Sequence, residues 1–474
     1  MQYHFQYRKR KFLVYCLSLS LLYSFGCNKF VGVPEPINTI TAAETFGSDA
    51  TAISALVAIY SNMSWGNGGY LFANCGTSIY PGLSSDELNV FGINQYQTNS
   101  ILASDGTANN VFWQPAYFDI YMANGVIENL RSSSAVTLTT KKQLVGEAKW
   151  IRAFCYFYLT NIFGAVPLDT TNTWANTSLL PRADSGQIYR QVIDDLTDAK
   201  NSLTDDYSIS GGERIRANTW AASALLARAY LYYKKWDSAE AQATIVINNG
   251  SLFNLIPNLD SVFLKNSSES ILQLQTIDNG HYATYEGFNF IPPDLTSSPN
   301  YFLTSQLLNA FERGDQRFAH WVDSTIYNDG TTTSVYYFPY KYKTAQGSPG
   351  NINEYYTLLR YSEQFLIRAE ARAERNINLP GAISDLNQLR ERAKLPDLPI
   401  SLTQSEVLDA IAQERRIELF AEWGHRWFDL KRTGQAVSKL SSEKGFPVTT
   451  DALLYPIPVS ELKVDPNLTQ NPGY

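Results

Sequence analysis

Residues 219–236 read TWAASALLARAYLYYKKW and run on into DSAEAQATIVINNG, which ends at residue 250. In the first segment Trp220, Ala224, Ala227 and Leu231 recur at spacings of three and four, so they share one helical face. In the second, Asp237 and Glu240 have the spacing of a capping box at the start of a helix that Asn249-Gly250 closes. Helix, short turn, helix, with small residues at the crossing, is the tetratricopeptide pattern. Each unit of about 34 residues buries its apolar face only by stacking on its neighbours.

The same periodicity extends in both directions. Through GEAKWIRAFCYFYLTNIFG at 146–164, Ala148, Ile151, Cys155, Leu159 and Ile162 form one stripe, with Gly164 and Pro167 as stop signals. A helix from about Ser185 to Leu203 packs back on it. RYSEQFLIRAEARAER at 360–375 places Leu366, Ala369 and Ala373 on one face. It is paired with a helix from Ala382 to Ala393 that stops before Pro396. Thr403 and Glu406 form a capping box for a helix reaching about Phe420. Three or four such pairs predict one mainly α scaffold. Residues 64–112, 251–305 and 321–357 lack this period and are rich in Gly, Asn, Ser, Thr and aromatics. They read as long irregular ligand loops with short strands, among them ILQLQ at 271–275 and VYYFPY at 335–340.

The chain opens with Arg8, Lys9, Arg10 and Lys11, then an apolar run from Phe12 to Phe25 and Gly26-Cys27. The run is shorter than the roughly 20 residues a spanning helix needs, so residues 1–26 are expected to be a cleaved signal peptide. The thiol of Cys27, new N-terminus of a 27–474 domain, is expected to carry lipid. Two or more acyl chains give durable anchoring, since a buried methylene contributes only about 0.8 kcal/mol. Asn28 to Pro36 then form a short tether.

Without residues 1–26 the balance is 34 Lys+Arg against 45 Asp+Glu, a net charge of about −11. An acidic chain with no basic stripe excludes binding to a phosphate backbone. Beyond Cys27 only Cys75 and Cys155 remain, too few for a disulfide scaffold. There is no HExxH, paired CxxC or P-loop, and GNGG at 66–69 is a turn signal. His425 has no second histidine or nucleophile at a useful spacing, so no catalytic residue is assigned. DTTNTWAN at 169–176 offers oxygen donors but fits no calcium template, so no cofactor or metal is assigned. The 30 Tyr, 24 Phe and 9 Trp are the compositional feature that points to a ligand. A pyranose offers C–H groups on one face and hydroxyls around its rim, which aromatic faces with neighbouring amides satisfy.

Several ordered stretches resemble the SusD/RagB family of outer-membrane nutrient-binding lipoproteins along nearly the whole mature length. They are CNKFVGVPEP with the helix ending ALVAIYSNM, GEAKWIRAFCYFYLTNIFGAVPL, and RYSEQFLIRAEARAE with LNQLRERAKLP and ERRIELFAEWGHRWFDLKRTG. The last is the closing LLYPIPVSELKVDPNLTQNPGY. The resemblance implies a SusD-like fold with about four tetratricopeptide-like helix pairs supporting irregular loops, its N-terminal part at 27–260 and its C-terminal part at 261–474. It implies a non-enzymatic, lipid-anchored, surface-facing outer-membrane protein that captures a glycan and passes it to a SusC-like TonB-dependent transporter. In some branches of the family the ligand is a peptide. A surface glycosidase is the enzymatic alternative, since two carboxylates suffice for that chemistry.

Arg152, Glu414, Arg415, Arg416, Glu418, His425, Arg426 and Asp429 read as a buried charge network that orients helices. Ligand contacts are expected at Trp65, Tyr70 and Phe72 in SWGNGGYLF, at Phe91, Asn94 and Tyr96 in NVFGINQY, and at Tyr282 and Tyr285 in GHYATYEGF. Asp86, in the acidic turn that precedes the family's ligand loop, joins them. Tyr96 is the first choice, while Trp113 and Trp220, on helical spacing, are assigned to the core.

Overall fold

A computed structural model describes residues 41–65, 71–277 and 280–474. The expected signal peptide at 1–26, Cys27, the expected tether and the candidate Tyr70 lie outside the described residues. Residues up to Thr45 cluster apart from Phe46–Tyr474. Of that leading unit the described element is the one-turn helix Ala42–Thr45, where Thr41 N donates to Glu44 Oε2 at 2.8 Å.

The main unit is built from α1 (Asp49–Trp65), α2 (Thr77–Ser84), α3 (Gln114–Ser132), α4 (Leu138–Phe163), α5 (Ser185–Ser202), α6 (Thr219–Tyr232) and α7 (Trp236–Ile247). It continues in α8 (Tyr361–Glu374), α9 (Leu379–Arg392), α10 (Gln404–Glu418), α11 (His425–Arg432) and α12 (Ala436–Lys444). Helices α3 to α10 pack in chain order, each against the next, apart from α10, which adds to both α8 and α9. Thus α7 lies against α8 although residues 248–360 intervene, and the irregular region is an insertion into a continuous stack of helix pairs.

Helix α4 shows how sequence sets that stack. Thr137 Oγ1 accepts from Thr140 N at its start, and Gly164 at φ 77° ends it. Trp150, Ile151, Phe154, Cys155, Tyr158 and Leu159 are all buried, so the helix is apolar around most of its circumference and is packed by α3 and α5 on either side. At Gly146 a Cβ would lie 2.8 Å from Leu203 Cδ2, which explains the glycine at the closest approach to α5.

Two sequence expectations change at helix starts. Asp237 and Glu240 form no capping box, because α7 begins at Trp236 and Asp237 already lies inside its first turn. They face α8 instead, Asp237 2.5 Å from Arg375 and Glu240 2.7 Å from Arg372 and Arg375. Helix α9 starts at Leu379 rather than Ala382, with Asn378 at φ 54° accepting from Gly381 N. The box at Thr403 and Glu406 does form. Trp113 is buried as expected, whereas Trp220 is half-buried and donates to Asp205 O at 2.7 Å.

The segment 64–112 is less irregular than its composition suggests. It contains the π-helical turns Phe72–Gly76 and Ala108–Trp113 and the buried α2. Its glycines serve packing: a Cβ at Gly76 would meet Val111 Cγ1 at 2.4 Å, and one at Gly82 would meet Leu88 Cδ1 at 2.7 Å. The strands are short and antiparallel. β1 (Leu88–Asn89) pairs with β3 (Phe302–Leu303), β2 (Ser270–Leu274) with β6 (Tyr356–Arg360), and β4 (Val322–Asn328) with β5 (Thr333–Pro339). Both expected strand stretches are present, in β2 and β5.

The predicted charge network is buried where the insertion meets the C-terminal helices. Arg360, at the end of β6, lies 2.9 Å from both Glu269 and Glu418, and Arg392 of α9 lies 2.5 Å from Glu418. Arg317 bonds Glu414 and Glu418 of α10. Elsewhere Arg152 joins α4 to Asp195 of α5 at 2.6 Å, Arg415 meets Asp429 at 2.7 Å, and Arg228 of α6 meets Glu363 of α8 at 2.6 Å. His425 is buried, and burial followed by the charge of Arg228 pushes its pKa well below the usual imidazole range. It is neutral and structural.

Candidate functional site

The loop after α2 is fixed at both ends before it exposes anything. Asp86 accepts from Arg416 at 2.7 Å and from Arg426 at 2.8 and 2.9 Å. Burial raises its pKa, but the bonds and charge of the two arginines outweigh that and hold it below the usual carboxylate range. Glu87 O accepts from Thr304 N at 3.0 Å beside the β1–β3 pair. At the far end Asn99, at φ 50°, donates to Ser84 O at 2.9 Å.

Between these anchors Phe91 projects to solvent, 43% exposed, next to Ile93 at 95%. Pairing of β1 with β3 brings Phe302 to within 5.1 Å of it, centroid to centroid. The β4–β5 hairpin adds Tyr327 and Tyr336. Tyr336 stands opposite Thr325, two residues from Tyr327, so the two rings occupy one face on the diagonal. Phe91 lies 5.0 Å from Tyr336 and 6.0 Å from Tyr327, and Phe302 lies 4.9 Å from Tyr336. These four rings form a partly open aromatic surface. Asn94, half-buried, uses its Oδ1 to accept from Tyr96 N at 2.9 Å, and Gln97 Nε2 donates to Asn89 Oδ1 at 2.9 Å. Amides therefore sit in the same loop as the exposed ring.

The structure separates the other sequence candidates. Tyr96 is 1% exposed, packed on Tyr80 at 4.8 Å and Tyr455 at 5.1 Å, and its hydroxyl donates to Asp105 at 2.8 Å. It braces the loop and offers no ring face to a ligand. Phe72 is buried against Phe154 and Tyr158, and Tyr285 is buried at the start of the helix Tyr285–Phe290. Asp86 is consumed by its two arginines. These four are core residues because tertiary packing covers them, whatever the polarity of their sequence neighbours. Trp65, at the end of α1, is 44% exposed. Tyr282, at φ 53°, is half-buried in a turn where Gly347 comes so close that a Cβ there would lie 2.3 Å from Tyr282 O. Ser64 Oγ donates to Gln275 O at 2.6 Å, tying the end of α1 to the chain leading into that turn.

Phe302, Tyr327 and Tyr336 were missed by sequence reasoning. VYYFPY was legible as a strand, and its alternation would have put Tyr336 and Phe338 on one face and Tyr337 on the other. Nothing local showed which face stays open.

Electrostatics bear on the enzymatic alternative. The acids beside the hairpin, Asp294 and Asp329, are exposed and pulled down to about 2, chiefly by side-chain hydrogen bonds from Thr296 and Thr331 respectively. Both are therefore ionised at neutral pH, whereas the general acid of a glycosidase has a raised pKa. The acids that burial raises to about 8, Glu87, Asp119 and Glu286, have no more than 5% of their surface exposed. No cluster of three potential metal-ligating side chains occurs among the described residues.

Comparison with known proteins places this geometry. A family model described as "SusD family" matches residues 296–474, and one described as "Starch-binding associating with outer membrane" matches 58–231. The chain belongs to the SusD/RagB family. As a SusD/RagB member it has the mainly α fold with short strands that the sequence predicts, in a family that binds glycans and associates with the outer membrane. A SusD-like protein of Formosa agariphila is 27% identical, with 98% of this chain and all of that protein covered. The starch-binding protein SusD of Bacteroides thetaiotaomicron is 22% identical over 69% of this chain and 72% of its own. A solved laminarin-binding SusD-like protein superposes with a TM-score of 0.73 at 26% identity, covering 90% of this chain and 100% of that one.

Proposed function

We propose that this chain is a non-enzymatic glycan-capturing lipoprotein of the outer-membrane surface, and that Phe91, Phe302, Tyr327 and Tyr336 form its stacking platform. The observation that carries the reading is the exposed Phe91 ring set 5.0 Å from Tyr336 on a loop anchored at both ends. A pre-ordered aromatic surface gives up little entropy on binding, and its ring faces take the C–H side of a pyranose. Asn94 and Gln97 lie in the same loop to meet hydroxyls. The starch and laminarin named for two relatives fit that chemistry. Trp65 and Tyr282 are the other sequence candidates with open surface and are assigned as secondary contacts.

Attachment is assigned to lipid on Cys27. No helix among the described residues is long and apolar enough to cross a membrane. The onward recipient is assigned as a SusC-like TonB-dependent transporter, on family resemblance. Two measurements test the reading. Purified protein titrated calorimetrically with laminarihexaose and maltohexaose should bind at least one and leave both uncleaved on long incubation; cleavage, or no heat with either, contradicts it. Cys27→Ala should move the protein from the membrane fraction to the soluble one, and unchanged fractionation contradicts the anchor.

A further inference from the structure

A cavity of about 400 Å³ opens between α8, α10 and α11, with Trp236 at the start of α7 beside it. Its volume lies within the roughly 300–1,000 Å³ range of ligand pockets. Arg415, Arg416, Arg426 and Arg432 line it together with Glu370 and Asp429, so none of the quartet's residues takes part.

Arg415 is the unusual member. Only 3% of its surface is exposed, and it turns one edge of its guanidinium to Asp429, Nε donating to Oδ2 at 2.7 Å and Nη2 to Oδ1 at 3.1 Å. Nη1, at the end of the fork away from that carboxylate, has no hydrogen-bond partner among the described residues. The next residue repeats the shortfall: Arg416 gives Nη2 to Asp86 at 2.7 Å, while its buried Nε has no partner among them. Arg432 donates from Nε to Asp429 at 2.8 Å and from Nη2 to Glu370 at 2.8 Å, and Arg426 holds Asp86 at 2.8 and 2.9 Å. Four guanidinium charges thus share three carboxylates, those of Asp86, Asp429 and Glu370. Glu87, also close to Arg426, adds no charge at neutral pH because burial raises its pKa to about 8.

A carboxylate supplies what is missing, one negative charge and two acceptor oxygens, whereas a neutral hydroxyl leaves the excess charge buried. A phosphate dianion overshoots it and meets Glu374 and Asp409, the remaining acids of the lining, of which the exposed Lys234 offsets one. The rest of the lining indicates what carries the carboxylate. Trp236, half-buried, offers an indole to the C–H face of a pyranose, and Glu374 and Asp409 can accept from ring hydroxyls. A uronic acid brings carboxylate, hydroxyls and C–H face on a single ring.

We propose that this cavity is a uronate site, taking one carboxylate-bearing pyranose of an acidic glycan independently of the aromatic quartet. The ligand class rests on the carbohydrate-binding reading above; the site rests on the cavity and its open guanidinium donors. The test is ligand-observed saturation-transfer NMR on the whole protein, with methyl β-glucuronide and methyl β-glucoside as paired probes. The glucuronide should bind with a midpoint several-fold below that of the glucoside, equally in wild type and in Phe91→Ala/Tyr336→Ala. Arg415→Lys keeps a cation for Asp429 and loses Nη1, so it should weaken the glucuronide several-fold. Trp236→Ala should do the same, and it decides the matter if Arg415→Lys fails to fold. Equal midpoints for the two probes, or glucuronide binding unchanged in the folded variants, overturns the inference, and does so alone where the quartet still binds a neutral oligosaccharide. A glucuronide signal that disappears with the quartet also overturns it. So does an acetylated peptide with a free C-terminal carboxylate that binds more tightly than the glucuronide and displaces it, which would make the cavity a seat for a protein chain. Glucuronide binding that persists where the quartet variant loses no affinity for neutral sugar supports the cavity and removes the quartet.

Discussion

Lys444 places its ammonium 2.7 Å from Asn99 Oδ1, and the same nitrogen lies 3.0 Å from Leu83 O and 2.9 Å from both Ser84 O and Gln97 O. One side chain of α12 therefore gathers both ends of the loop that carries Phe91. Lys444→Met keeps the stem and removes the donor shared by Leu83 O, Gln97 O and Asn99 Oδ1, while Ser84 O keeps its bond from Asn99 Nδ2. Stability should fall on the order of 1–3 kcal/mol in urea, and sugar affinity should fall with it as the Phe91 loop loosens. Undiminished affinity in the folded variant would show that the loop's order does not matter to binding.

Glu418 is the carboxylate shared by Arg317, Arg360 and Arg392. Removing one partner of a buried ion network costs about 3–5 kcal/mol, because the remaining charges stay buried and uncompensated. Glu418→Gln should lose stability of that order in chemical denaturation, while the folded fraction binds sugar normally. A loss under about 1 kcal/mol would mean the arginines are solvated in a way the packing does not show.

Asp119 on α3 is fully buried, accepts from Asn62 at 2.8 Å through Oδ1, and has no partner at Oδ2. Burial raises its pKa to about 8 against the opposing Asn62 bond. The folded value lies above the unfolded one of 3.8, so the proton is held more tightly in the native state. That contribution is whole below about pH 4 and is lost as pH rises through about 8, at up to about 1.4 kcal/mol per unit. Glu87 and Glu286 act in the same direction. Asp119→Asn keeps the acceptor for Asn62, and should flatten the fall in urea stability between about pH 5 and pH 8. An identical slope in the variant would show that Asp119 is ionised throughout.

How far the sequence reached depended on whether a feature was local. Helices α6, α8 and α10 were legible because Ala224, Ala369 and the Thr403–Glu406 box act within a few residues. The start of α7 was not, since Asp237 and Glu240 answer to Arg372 and Arg375 of a distant helix. The glycines at 76 and 82 read as loop signals but are there for close packing, which composition does not distinguish. At the candidate site Phe91 was legible as an aromatic in a polar loop. Tyr96, Phe72 and Tyr285 have the same local look and are covered by Tyr455, Phe154 and the core. Phe302, Tyr327 and Tyr336 reach Phe91 only through the β1–β3 and β4–β5 pairings.

The aromatic quartet is the central claim, and Phe91→Ala/Tyr336→Ala tests it most directly. Each ring is partly open, so truncation should leave the melting temperature nearly unchanged. Calorimetric titration with the oligosaccharide the wild type binds should show affinity at least about tenfold weaker, equivalent to about 1.4 kcal/mol. Equal affinity in wild type and double variant, with both folded, would contradict the account.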